Sequence, residues 1–166
     1  MINSISSLLM LQSDFSVASY WITNPYNTVR RNHAGGSDFY GFWYDIKSNP
    51  DGASATSDIC PTGMRLGESK DNVAHSNGRF GVRVDTLSAR EFPCRPTKNE
   101  GLIDPYMANQ AYHSVFDNFT VWRNSEVGFI CGELGYTTVR DIKAVDNIKG
   151  GMQIHKTNFT KEPVVF

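Results

Sequence analysis

The chain of 166 residues is long enough for one domain with a substantial core, and 40% hydrophobic and 20% charged residues are ordinary values for a globular protein. The formal net charge of −1, with both signs mixed along the chain, provides neither a basic surface for nucleic acid nor a polybasic membrane anchor. No apolar run approaches the roughly 18 residues of a membrane-spanning helix, so no membrane span is predicted in this segment.

Residues 1–18 are predicted to form a cap or an incomplete first coil. The one candidate for a secretory apolar segment runs from Ile5 to Leu11, and the absence of a preceding Lys or Arg argues against a signal peptide. An amphipathic cap helix would serve equally well. Together with the abrupt end at Pro163 to Phe166, this segment suggests that 1–166 is a single segment of a longer chain.

One short motif recurs along the chain: Asn-x-x-x-Gly, followed by apolar residues at alternate positions. Its clear copies start at Asn77, Asn124 and Asn147, and Asn32 is interpreted as an imperfect copy whose apolar residues follow Gly41. The intervals between the copies fit one period of about 23 residues and two periods nearly twice as long. These intervals are typical of solenoid coils that carry insertions.

The residues after each motif alternate along the chain. The inward positions are predicted to be Phe42, Val82, Phe129 and Met152, and two residues later Tyr44, Val84, Cys131 and Ile154. This period of two is typical of strands with one buried face, and coils stacked about 4.8 Å apart would align such residues in columns. The sequence therefore predicts an all-β parallel β-helix of about four to six coils. A β-sandwich with Asn- and Gly-rich turns is the alternative, but it does not explain the common register.

The residues of the motif itself are predicted to build the corners of the coils. Asn32, Asn77, Asn124 and Asn147 are expected to form one ladder, since Asn tolerates the left-handed or bridge conformation of a sharp bend and its amide can bond to the Asn above and below. The glycine is expected to permit a bend without a Cβ clash.

Two insertions, 47–66 and 86–113, lack strand alternation and contain many turn-forming residues, so they are predicted to be loops. They leave neighbouring coils at the same side, and a disulfide between Cys60 and Cys94 could contribute ~3–4 kcal/mol by restricting the unfolded chain. Metal binding is the alternative for these cysteines, but no Cys-x-x-Cys or His-x-x-x-His pair accompanies them. Cys131 is predicted to be a buried free thiol, and neither a metal site nor a cofactor is predicted.

Two triplets match the acceptor pattern for N-glycosylation. They begin at Asn118 and Asn158, and Asn158 is the better candidate because it lies in the C-terminal tail. With the cysteine pair, these triplets predict a secreted or cell-surface location.

Several segments resemble one family. These are Ser19–Pro25, the stretch from Asn32 through Ala34–Gly36 to Gly41–Tyr44, and Asn72–Asn77. They are similar to the parallel β-helix region of fibrocystin and fibrocystin-L, which itself resembles that of cell-surface hyaluronidases and hyaluronan-binding proteins. The resemblance extends from about Ser19 to Ile154. It implies a right-handed parallel β-helix on the extracellular side of a large protein, with no established catalytic set in the fibrocystin branch.

An outward column next to the Asn ladder is the candidate binding site. It is expected to hold Arg30, His75 and Trp122, with Arg123 in the adjacent column. Guanidinium, imidazole and indole groups together suit carboxylated or sulfated sugars through charge-assisted hydrogen bonds and stacking. This pattern predicts a glycan-binding face; a solvated, loop-covered exterior is the alternative.

No catalytic residues are predicted. Carboxylates such as Asp38, Asp85 and Glu126 occur singly, whereas enzymes acting on acidic polysaccharides need them clustered. The favoured function is therefore a non-catalytic extracellular scaffold that adheres, binds carbohydrate or associates with itself through the solenoid ends. The alternative is a part of a polysaccharide-degrading enzyme, of hyaluronidase or lyase type.

Overall fold

The computed structural model describes residues 16–94, 109–157 and 164–165, which form fourteen β-strands and two 3₁₀ turns, Gly52–Ser54 and Pro61–Gly63. The strands are β1 (Ala18–Ile22), β2 (Val29–Arg30), β3 (His33–Gly35), β4 (Tyr40–Tyr44), β5 (Ser69–Lys70), β6 (Val73–His75), β7 (Phe80–Leu87), β8 (Ser114–Asp117), β9 (Thr120–Trp122), β10 (Val127–Leu134), β11 (Thr137–Arg140), β12 (Lys143–Val145), β13 (Gly150–Thr157) and β14 (Val164–Val165).

These strands form three parallel sheets in which neighbouring strands come from successive coils. Sheet A has the order β1-β4-β7-β10-β13, sheet B the order β2-β5-β8-β11-β14, and sheet C the order β3-β6-β9-β12. Each complete coil passes through sheets B, C and A in turn, and the described residues contain four such coils, β2–β4, β5–β7, β8–β10 and β11–β13. The predicted parallel β-helix is therefore confirmed.

The columns of sheet A have the predicted register, and all their residues but one are buried or half-buried; Met152, in the last complete coil, is exposed. Phe42, Val82, Phe129 and Met152 share one register, and Tyr44, Val84, Cys131 and Ile154 share another. Phe129 packs edge-on against Phe116 and Phe119, so aromatic rings from sheets A, B and the corner before sheet C meet inside the solenoid. Cys131 is a fully buried free thiol, and burial raises its pKa.

Each complete coil bends at two corners, and every corner contains a residue in the left-handed conformation. The corner between sheets B and C uses Arg31, Asp71, Asn118 and Asp141; the corner between sheets C and A uses Gly36, Ser76, Arg123 and Asp146. Their φ values lie between 50° and 76°. The motif Asn does not adopt the left-handed conformation, one of the two expected for it, because the residue before it makes the bend and leaves the Asn side chain directed along the solenoid.

Three of the predicted ladder residues form a continuous chain of side-chain amides. Asn124 Oδ1 accepts hydrogen bonds from the backbone N (3.2 Å) and Nδ2 (2.9 Å) of Asn77. Asn147 Oδ1 accepts the same pair of bonds from Asn124, at 3.1 and 2.8 Å. Asn77 and Asn124 are almost completely buried, so each of these buried amides finds its partner in the next coil.

Asn32 does not belong to this ladder, which corrects the prediction. It lies at the corner between sheets B and C, where its backbone N donates to Asn72 Oδ1 at 3.1 Å, 40 residues away in sequence. The residue that donates to Asn77 from the first coil is Ser37. Because the two corners of one coil are five residues apart, an Asn at either corner fits the same spacing rule.

The motif glycines are required for close packing, not for bending as predicted. Gly41, Gly81 and Gly128 lack positive φ values. A Cβ atom on each would lie 2.8–2.9 Å from the Nδ2 atom of Asn77, Asn124 or Asn147, respectively. The glycine of one coil therefore makes room for the asparagine of the next, which explains why the two residues recur together.

The two insertions pack side by side. Ser88 N donates to Thr62 O and Arg90 N donates to Gly63 O, both at 2.8 Å, and Cys60 is joined to Cys94 by a disulfide, the pairing that the sequence analysis expected. Strand β7 continues to Leu87, so the second loop begins at residue 88 and not at 86. Residues 1–15 of the predicted cap and 95–108 of this loop lie outside the described residues.

Replacing the central asparagine tests the ladder. Asn124→Ala removes the acceptor for both Asn77 donors and the donor to Asn147, leaving buried polar groups unpaired. We expect a loss of about 2–4 kcal/mol in the free energy of unfolding, measured by chemical denaturation. Asn27→Ala, at an exposed position, is the control and should cost less than about 1 kcal/mol. Equal losses for the two variants would show that the ladder does not stabilise the fold.

Candidate functional site

The outward face of sheet C presents two columns of side chains. One column contains His33, Val73, Thr120 and Lys143, and the other contains Gly35, His75, Trp122 and Val145. Their inward neighbours are the small residues Ala34, Ala74, Val121 and Ala144. Because strands alternate, every second residue of this short sheet is available at the surface.

Three rings on this face pack together and are called the His-Trp cluster: His33, His75 and Trp122. The His75 and Trp122 rings are stacked, with centroids 4.3 Å apart and planes 10° from parallel. His33 meets His75 edge-on at 4.8 Å and lies 6.1 Å from Trp122. A Cβ on Gly35 would lie only 2.9 Å from Cε1 and Nε2 of His75, so this glycine provides the space that the imidazole occupies.

The electrostatics of the cluster favour a neutral His75. Partial burial and the nearby His33 both lower the His75 pKa. The Nδ1 atom of His75 is 3.0 Å from Ser76 Oγ, which orients the ring. Among the described residues, the indole N–H of Trp122 has no hydrogen-bond partner, so it is available to an acceptor from outside.

The cluster agrees only partly with the site predicted from the sequence. His75 and Trp122 do lie together, and Arg123 is the exposed corner residue directly after Trp122. Arg30 lies elsewhere, on sheet B, where its Nη1 donates to Glu68 Oε2 at 2.9 Å. The error has the same origin as that for Asn32: the first copy was aligned one corner too early, so Arg30 was placed where Gly35 stands.

His33 was missed for the same reason. With Asn32 aligned to Asn72 instead of Asn77, His33 falls opposite Val73 and Gly35 opposite His75. The signal that could have found it is the pair of Asn residues at 72 and 77, five residues apart, which marks both corners of one coil.

The side chains on this face are suited to binding a ligand. Flat rings, ring N–H groups and the flexible cations Arg123 and Lys143 can contact the apolar and hydroxyl faces of a sugar and its acidic substituents. The described residues contain no group of three or more His, Cys, Asp and Glu side chains that could hold a metal ion.

Asn118, a predicted glycosylation acceptor, is a corner residue next to this face. Its Nδ2 atom donates to Asp71 Oδ1 at 2.8 Å, and its Oδ1 accepts from Lys143 Nζ at 3.3 Å. The nitrogen that would carry a glycan is thus engaged in the corner. Glycosylation of Asn118 stays a prediction, and Asn158 lies outside the described residues.

Comparison with known sequences finds a matching family and several related proteins. Residues 4–82 match the family described as CEMIP beta-helix. The chain is 32% identical to mouse fibrocystin-L over 147 residues and 42% identical to human fibrocystin-L over 78 residues, matches that cover 89% and 47% of this chain. It is also 35% identical over 72 residues, 42% of the chain, to the mouse cell migration-inducing and hyaluronan-binding protein.

The chain spans only a small part of each of these relatives. It covers 3% of mouse fibrocystin-L, 2% of human fibrocystin-L and 5% of the mouse hyaluronan-binding protein. In the part of the chain that the structure describes, no helix has the length and apolar character to cross a membrane.

The pKa of His75 tests the geometry of the cluster. His33→Ala removes the neighbouring imidazole, so the His75 pKa should rise towards its ordinary value, as followed by NMR titration of the ring protons. Because folding lowers this pKa, protonation of His75 favours the unfolded chain. The stability that the neutral ring contributes is present above the ordinary histidine pKa and is lost as the pH falls through the lower pKa of the folded chain. His155→Ala, an exposed histidine on sheet A, is the control. A His75 pKa that responds equally to both substitutions would contradict the contact with His33.

Proposed function

Because this chain belongs to the fibrocystin-L and CEMIP-like β-helix family, we propose that it is a non-catalytic extracellular scaffold segment that binds glycans through the His-Trp cluster. The rigid solenoid presents the cluster, and Arg123 supplies a flexible cation beside it. The expected partner of this segment is therefore a carbohydrate, and its expected location is outside the cell.

The observation that carries the proposal is the stack of His75 on Trp122, whose indole N–H has no hydrogen-bond partner within residues 16–94, 109–157 and 164–165. Exposing an aromatic ring to water costs free energy, and contact with a partner removes this cost. The N–H groups at the edges of such rings can donate hydrogen bonds to hydroxyl groups. The name of one relative, a hyaluronan-binding protein, adds support from outside the chain.

The disulfide supports the extracellular part of the proposal. Cysteines at exposed positions stay reduced in the cytosol, whereas oxidising compartments maintain bonds such as Cys60–Cys94. This bond ties together the only two long insertions of the described coils, so its formation and the packing of the loops depend on each other.

Three ion-paired carboxylates of the described coils favour binding over catalysis at their positions. Glu68, Asp117 and Glu126 each accept a hydrogen bond from Lys or Arg, and these bonds lower their pKa values. Hydrolysis of a glycosidic bond needs a carboxyl group that keeps its proton near neutral pH. These three groups are held in the opposite state, which is why we favour the scaffold over the polysaccharide-degrading enzyme.

The experiment is a glycan array, followed by calorimetry with the glycans that bind, hyaluronan oligosaccharides included. Trp122→Ala and His75→Ala should each weaken binding at least about tenfold, since a stacked or hydrogen-bonded aromatic contact contributes roughly 1–3 kcal/mol. Trp21→Ala and His155→Ala change the same residue types on the exposed part of sheet A and are the matched controls. They should change the affinity less than about twofold.

Two results would contradict the proposal. One is the absence of any glycan that binds above background. The other is a loss of affinity that is the same for the sheet C variants and their sheet A controls.

A further inference from the structure

The outward side of sheet B carries a column of charged side chains that the proposed function does not use. Arg30, Lys70, Asp117 and Arg140 share one register on successive coils. Adjacent coils are about 4.8 Å apart, so three permanent cations lie along a short line on the surface.

Two carboxylates hold these cations in place. Glu68 accepts from Arg30 Nη1 and from Lys70 Nζ, both at 2.9 Å, and Asp117 accepts from Arg140 Nη2 at 2.8 Å. Hydrogen bonds from Lys70 and Arg30 lower the Glu68 pKa, and a hydrogen bond from Arg140 lowers the Asp117 pKa. Both carboxylates are therefore ionised at neutral pH.

The cations are also the outer partners of these ion pairs. The side chains of Arg30, Lys70 and Arg140 are 41%, 38% and 58% exposed, whereas those of Glu68 and Asp117 are 33% and 22% exposed. Each cation uses one N–H in its ion pair, and the remaining N–H groups have no partner among the described residues. The less exposed carboxylates thus hold the cations in position. The N–H donors of the cations that are not used in the ion pairs remain exposed.

A groove of about 400 Å³ runs beside this column. Its lining includes the apolar Leu66 and Val115, the His113 ring, and the two ion-paired carboxylates Glu68 and Asp117. The His113 ring stacks on Tyr136 at 4.5 Å, and its Nε2 atom is 2.8 Å from Thr138 Oγ1. The groove therefore combines apolar side chains and a fixed ring with donors from Lys70 and Arg140, which suits a ring-shaped body that carries an anionic group.

We propose that this groove binds a sulfate ester carried on a sugar unit of a polysaccharide. A sulfate ester has three terminal oxygens, which can accept hydrogen bonds from Lys70 and from the guanidinium fork of Arg140. The site goes beyond the proposed function, because it lies on another sheet and uses none of the His-Trp cluster.

The binding test uses one tetrasaccharide of alternating uronate and N-acetylhexosamine units in two forms, with and without sulfate esters. Both forms keep their carboxylates, so the comparison isolates the sulfate. Calorimetry of the folded chain at about 0.15 M salt should show at least about tenfold tighter binding of the sulfated form, since screening at this salt suppresses long-range attraction. Amide NMR shifts should change at Lys70, Val115 and Arg140. Inorganic sulfate is a third arm, and it should bind at least about tenfold more weakly because it lacks the sugar body.

Variants then locate the site. Lys70→Gln and Arg140→Gln should together reduce the affinity for the sulfated form at least about tenfold, since two charge-assisted contacts are lost. Lys149→Gln is the matched control: Lys149 has an exposed side chain paired with Glu126 at 2.9 Å, outside the groove. It should change the affinity less than about twofold. The amide shift changes at Lys70, Val115 and Arg140 should be lost in the Lys70→Gln and Arg140→Gln variant and kept in Lys149→Gln, which locates sulfated binding on sheet B and not on the sheet C face.

Three results would overturn the inference. They are equal affinity for the two forms of the tetrasaccharide, equal affinity for inorganic sulfate, and an equal loss in the Lys149 control. An equal loss in the Lys149 control would indicate nonspecific electrostatic attraction of the polyanion, and not binding at a defined site.

Discussion

The hydrogen bonds between Asn77, Asn124 and Asn147 are the interaction on which the regularity of this solenoid depends. A primary amide has two donors and an acceptor, so a buried Asn is costly unless all are used. Here Asn124 accepts from the coil before it and donates to the coil after it, and Asn147 Nδ2 returns a bond to Val121 O at 3.1 Å. The same requirement excludes a side chain at the glycine four residues later, because the amide of the next coil occupies that space.

The two exposed surfaces follow from this repeating register. Once the corners of successive coils coincide, residues at equal distances from a corner are aligned in columns on every sheet. Stacking then places rings against rings on sheet C and charges against charges on sheet B. Gly35 shows how one residue of a column makes room for a functional group in the next. Because Gly35 has no side chain, the His75 ring of the next coil can occupy that space. The long insertions leave the body at one side and are tied by Cys60–Cys94, so they do not disturb the columns.

Much of the fold could be predicted from the sequence because its signals are local and repeated. Alternating apolar residues after Gly81 and Gly128 specify inward positions, and the paired insertions place two cysteines on neighbouring coils. The corners were harder to assign. Asn32 and Asn77 occupy different corners but have similar surroundings, because both follow a left-handed residue and both bond to the next coil. The sequence signal that separates the two corners is the pair Asn72 and Asn77 in a single coil. This single misassignment displaced Arg30 into the wrong site and concealed His33. The sheet B groove depends on residues at the ends of two insertions, Leu66 and His113, whose approach cannot be deduced from spacing.

The side-chain amides of the ladder give the most direct test of the account. NMR of the folded chain with labelled asparagine measures hydrogen exchange of each Nδ2 group and the contacts between them. The account predicts slow exchange for Asn124, compared with the exposed Asn27, and through-space contacts that run in the order Asn77, Asn124, Asn147, with Ser37 and not Asn32 next to Asn77. Exchange of the Asn124 amide as fast as that of Asn27, or contacts that place Asn32 in the series, would contradict it.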